Sequence, residues 1–91
     1  MEFEFEFDPS KSQANKSRHG IDFVEAQEFW SDGNMLFLSS NYEAEERRLG
    51  TALYRDRYWT AIFALRDGAI RLISVTRSRK NEIEAHQTNI G

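Results

Sequence analysis

Apolar and polar residues alternate strictly over the first seven positions. Phe3, Phe5 and Phe7 fall on one side, and Glu2, Glu4 and Glu6 on the other. A period of two makes Met1 to Phe7 a half-buried strand with one wet face. Asp8-Pro9 is then a helix start and Gly20 a helix stop, so Pro9 to His19 reads as one short helix. Ala14 is the only apolar residue between Pro9 and His19. A helix without an apolar stripe is not placed by core packing alone. Its side chains Lys11, Asn15, Lys16, Arg18 and His19 suit either a solvated basic surface or an anion.

The pattern changes after Gly20. Asp22 followed three residues later by Glu25 is a capping box, with Ile21 and Ala26 placed for a hydrophobic staple. This predicts a second helix to about Trp30 that buries Phe23, Ala26 and Trp30, ended by Ser31-Asp32-Gly33-Asn34. Met35 to Leu38 reads as a short strand, Ser39 to Glu43 as a polar loop, and Arg47 to Tyr54 as a strand made less regular by Gly50. Arg55-Asp56-Arg57 makes a tight connection to Tyr58 to Leu65, an apolar and aromatic run expected to be central and covered on both faces. Asp67-Gly68 is a hairpin signal leading into Ile70 to Val75, a strand rich in β-branched residues. A last helix is predicted from Ser78 to about His86, with residues 86–91 frayed. The order β-α-α, antiparallel meander, helix predicts a single α+β domain over residues 1–91, with helices on one face of a mostly antiparallel sheet.

Composition narrows what such a domain can do. With 40% hydrophobic and 30% charged residues in a chain of 91, it is an ordinary small globular protein. Without cysteine it has no thiolate chemistry, and His19 and His86 stand far apart, so neither a metal nor another cofactor is expected. The apolar runs are too short to span a membrane, and glutamates occupy the place of a basic leader, which points to the cytoplasm. The net charge of −3 argues against a general nucleic-acid coat. Basic residues nevertheless cluster at Lys11 to Arg18 and at Arg71 to Lys80. If the fold joins them, they form a local phosphate site on an acidic protein.

The run Phe5-Glu6-Phe7-Asp8-Pro9-Ser10-Lys11, then Asn15, then Arg18-His19-Gly20-Ile21-Asp22-Phe23, resembles the opening signature of the BrnT family of type II toxin–antitoxin ribonuclease toxins. Glu45-Glu46-Arg47 is similar to that family's Glu-x-Arg before its second strand. Ile70 to Val75 with Arg77-Ser78-Arg79-Lys80 and Glu82 is similar to its closing strand and helix. The resemblance implies a RelE-like microbial-ribonuclease fold, with two N-terminal helices packed on an antiparallel sheet and a short C-terminal helix. It also implies an RNA substrate and a BrnA-type antitoxin. That antitoxin binds DNA, so the toxin would meet DNA only indirectly. A toxin dimer within a heterotetramer fits the open strand edge at Met1 to Phe7.

Metal-free RNA cleavage needs a base for the 2′-hydroxyl, cations for the phosphate and an acid for the leaving oxygen. His19 suits proton transfer and Glu45 a base, with Arg47 two residues on. Arg47 and Arg77 are expected at the chemistry; Lys11, Arg18, Arg71, Arg79 and Lys80 are expected to hold substrate phosphates. Other roles stand beside these. His19 before Gly20 also suits a helix C-cap, Glu45 and Arg47 a surface ion pair, and Arg71 an edge strand's wet face. Arg77, Arg79 and Lys80 stand at the start of a helix, against its dipole, which suits a ligand anion or an acidic partner segment. Trp59 suits core packing, while Tyr54 and Tyr58 suit either packing or base stacking. The chain departs from the family pattern at Thr76, where an arginine is usual, at Ala52-Leu53 for a Gly-Arg pair, and at His86 for a tyrosine. These departures keep a second role in view, that of a catalytically inactive module acting through antitoxin binding and operon regulation.

Overall fold

A computed structural model describes residues 4–31, 35–38 and 47–90. Among them are five strands and three α-helices: β1 (Phe5–Glu6), α1 (Pro9–His19), α2 (Phe23–Ala26), β2 (Leu36–Leu38), β3 (Arg47–Tyr54), β4 (Arg57–Arg66), β5 (Ala69–Arg77) and α3 (Lys80–Ile90). A 3-10 turn, Gln27–Trp30, continues α2. The strands form one sheet in the order β1-β5-β4-β3-β2. The class is α+β, as the patterning predicts, but the sheet is mixed, because β1 runs parallel to β5 through Phe5–Ile70 and Glu6–Arg71. The expected loop Ser39 to Glu43, and Glu45, lie outside the described residues.

The local signals act as their chemistry requires. Asp8 caps α1 by accepting the Ser10 amide at 2.8 Å, and Gly20 ends it in the left-handed region at φ 89°. The capping box at α2 closes in both directions: Asp22 accepts from the Glu25 amide, and Glu25 from the Asp22 amide. Both long hairpins turn through two residues of positive φ, Arg55-Asp56 and Asp67-Gly68, the geometry that matches strand twist. At Gly50 the flexible Met35 side chain occupies the space that a Cβ would take. Helix α3 starts at Lys80 and extends to Ile90, so Arg77 closes a strand and Arg79 precedes the helix. The dipole conflict foreseen for these cations therefore falls on Lys80, and Glu82 balances it from the first turn.

The two faces of the sheet differ. The inner face carries Ala52, Trp59, Ala61, Phe63, Leu72 and Val75, which join Ile21, Phe23, Ala26, Phe29 and Trp30 in one buried core. Phe5 and Phe7 seal its rim edge-on against Trp30 and Phe23. On the outer face, Thr60 is the hub of a hydroxyl cluster. It donates to Glu82 Oε1 at 3.1 Å, and the hydroxyls of Thr51 and Ser78 lie 2.9 and 2.8 Å from its oxygen. With its one proton given to Glu82, Thr60 accepts from the other two. Glu82 also accepts the Arg79 amide at 2.7 Å, which fixes the start of α3 to this face. His86 is buried one turn later, edge-on to Tyr58 at 5.2 Å. Beyond α3 the outer face is only half covered at Ile62 and Ala64, so β4 is not the fully enclosed strand that its apolar run suggests.

Lys16 on α1 donates to Glu25 Oε1 at 2.7 Å, tying α1 to the α2 capping box. The hydrogen bond from Lys16, followed by that from the Asp22 amide, holds the Glu25 carboxyl below the usual carboxylate range. A depressed folded-state value stabilises above the unfolded pKa and is lost as pH falls through the folded one. Glu25→Gln is therefore expected to lower the urea midpoint at neutral pH, with the gap to the parent closing below about pH 4. A gap that is unchanged at acidic pH would assign the loss to packing instead of charge.

Candidate RNA-binding site

Helix α1 is held by polar groups on its inward side. Asn15 is 7% exposed, and each of its polar atoms is used. Its Nδ2 donates to the carbonyls of Ile21 at 2.8 Å and Val75 at 2.9 Å, while its Oδ1 accepts the Val75 amide at 3.1 Å. Strand β1 ends at Glu6, opposite Arg71, whereas β5 continues to Arg77. The Asn15 carboxamide thus takes the place of a missing neighbouring strand at Val75. One turn earlier, Ser12 accepts the Phe23 amide at 3.0 Å. Of the five polar groups that suited an anion, Asn15 is therefore structural and Lys16 is paired with Glu25.

Lys11, Arg18 and His19 remain, and the fold brings them together. They line an open depression of about 150 Å³ with Ala14, Asn15, Ile73 and Ser74. Lys11, Ala14, Asn15 and Arg18 are spaced at three, four and seven residues, so they form one stripe of the helix. The opposite wall comes from an irregularity in β5. Leu72 pairs with Phe63 and Ser74 with Ile62, which leaves Ile73 as an extra residue. This bulge puts Ser74 on the outer face, where simple alternation from Leu72 would have placed it on the inner one.

The same bulge separates the arginines of β5. Arg71 pairs with Ala64 and shares the outer face with Ser74 and Thr76. Arg77 pairs with Trp59 on the inner side, its guanidinium 5.6 Å from the Trp59 ring centre. Arg47 pairs with Ala64 from β3, so it joins Arg71 on the outer face. Arg47, Arg71, Arg77, Arg79 and Lys80 do not line the depression. Ser74, which reasoning from charge passed over, is its one hydroxyl.

The geometry describes a small α+β protein with a cationic depression at a strand edge and further arginines on the adjoining sheet face. A family model for the ribonuclease toxin BrnT, of the type II toxin–antitoxin system, matches residues 7–82. The chain belongs to that family, whose members are ribonuclease toxins that act opposite a protein antitoxin. No curated protein was found that matches the chain. Among the described residues, no helix is long and apolar enough to cross a membrane.

Replacing Asn15 leaves the Val75 amide and two carbonyls without partners inside the protein. Asn15→Ala is expected to cost about 3 kcal/mol of unfolding free energy, measured by urea denaturation. A loss below about 1 kcal/mol would show that water or a shifted helix replaces the carboxamide.

Proposed function

We propose that this chain is a metal-independent endoribonuclease of RelE-like fold that cuts RNA and so inhibits translation in the cytoplasm. The observation that supports this most directly is the convergence of Lys11, Arg18 and His19 on one depression beside Ser74. Lys11 and Arg18 hold the scissile phosphate and offset its growing charge. Glu45 removes the 2′-hydroxyl proton, O2′ attacks phosphorus, and the bond from phosphorus to the 5′-oxygen breaks. His19 gives that oxygen its proton, leaving a 2′,3′-cyclic phosphate and a 5′-hydroxyl. Arg47 and Arg71 attract the RNA backbone from the outer face.

Arg77, which lies beside Trp59, is assigned in this reading to the partner and not to the phosphate. With Arg79 and Lys80 it makes a cationic group that suits an acidic antitoxin segment of the BrnA type, within a heterotetramer that contains two toxins. DNA is then met only through the antitoxin. Thr76 favours a second reading. It stands where the family pattern has arginine, and it pairs with Thr60 on the same face as Arg71 and Ser74. An arginine there would project toward the RNA, so threonine fits a weakened enzyme or an inactive module kept for antitoxin binding.

Purified protein incubated with RNA in EDTA tests the reading. Cleavage is expected to persist, to fall about a hundredfold in His19→Ala, and to rise tenfold or more in Thr76→Arg. Arg77→Ala is expected to keep cleavage and to weaken antitoxin binding. Absence of cleavage from the parent chain, with tight antitoxin binding, would establish the inactive module instead. Cleavage that EDTA abolishes would overturn metal independence.

A further inference from the structure

One row of outer-face positions crosses four strands. Glu6 on β1 pairs with Arg71 on β5, Arg71 with Ala64 on β4, and Ala64 with Arg47 on β3. The row therefore reads carboxylate, guanidinium, methyl, guanidinium. The two arginines stand two strand spacings apart, about 10 Å between Cα atoms. Their long side chains can close on one group over Ala64, whose methyl fills almost none of the space between them. Half-buried Leu49 and Ile62 belong to the next row, and Ser74 of the depression ends it. Arg71 and Ser74 are three residues apart on β5, somewhat under about 10 Å once the bulge is allowed for. With Arg47 and Arg71 closed on one phosphate, the depression beyond Ser74 is left for another phosphate of the same strand.

We propose that Arg47 and Arg71 form a second phosphate subsite astride Ala64, so that the RNA taken by this chain is a single strand held at two or more phosphates. The proposal rests on the ribonuclease reading for the identity of its ligand. Ala64 is the residue that keeps the subsite open. Glu6 closes the row at the sheet edge, its carboxylate 3.9 Å from the Arg71 guanidinium with both groups half exposed. It competes with the phosphate for Arg71. It also repels a backbone leaving over β1, which directs the strand past Ser74 toward Lys11 and Arg18.

Binding of labelled 2′-O-methyl oligonucleotides of two and eight nucleotides tests this without cleavage, because they lack the nucleophile. The parent is expected to bind the octamer at least tenfold more tightly than the dimer, in fluorescence anisotropy at low salt. Ala64→Glu, which sets a carboxylate between the arginines, is expected to remove that gain and leave dimer binding unchanged. Ala64→Gln, which fills the same space without a charge, should lose only part of it. Glu6→Gln should tighten the octamer alone. Replacing both Arg47 and Arg71 by Ala should flatten the octamer's log–log salt dependence by about 1.4. Equal affinity for dimer and octamer, or a length gain that survives Ala64→Glu, would overturn the subsite. A chain that shows the length gain yet never cuts RNA keeps the subsite and rejects the ribonuclease reading. Loss of cleavage in His19→Ala with the gain intact supports both.

Discussion

The position of α1 depends on the carboxamide of Asn15. A strand edge must place its amides and carbonyls somewhere, and β5 outlasts its neighbour β1 by several residues. Asn15 presents a donor and an acceptor to Val75, much as a peptide group would, and spends its second donor on Ile21. This explains how a helix with almost no apolar surface can have a fixed place. Hydrogen bonds at Asn15 and Ser12 and the ion pair at Lys16 do what an apolar stripe does elsewhere. Because the inward side is anchored through polar groups, the neighbouring stripe of Lys11, Ala14 and Arg18 is held against Ile73 and Ser74.

The sheet divides its work by face. The inner face is apolar and aromatic and carries the stability of the domain. The outer face is spent on polar rows: hydroxyls beneath α3, then a mixed row that ends at Ser74, then the arginines about Ala64. Locating Arg47 and Arg71 on the half-covered face avoids burying their charge. The molecule as a whole is negative, at −3, while the site stays locally positive.

Much of this was legible in the chain because the signals are local. Asp8-Pro9, Gly20, the Asp22–Glu25 box and Asp67-Gly68 each set a boundary through their own backbone chemistry, and Arg47 to Tyr54 was bounded to the residue. The errors came from non-local pairing. Two residues of parallel pairing leave no periodic trace, so β1 was read as a strand with no sign of its direction. Positions 71 and 77 share parity, and alternation would put both arginines on one face. The extra residue at Ile73 breaks that count, and nothing in the run Ile70 to Val75 announces a bulge. Lys11, Arg18 and His19 were found as candidates from charge and spacing, while Asn15 was grouped with them because its structural partner lies far along the chain. Glu45 is outside the described residues.

That remoteness affects when the protein can exist in its working form. Asn15 and Val75 are sixty residues apart, so α1 cannot dock until nearly all of the domain has left the ribosome. The hairpins from β3 to β5 are local and can close first, whereas the parallel pairing of β1 and the seating of α1 come with the slowest loop closure. The depression is thus among the last features of the fold to form, and a nascent or truncated chain carries its cationic residues without the site. The order of synthesis gives the cell an interval in which the complete sequence of α1 is present and its chemistry is not.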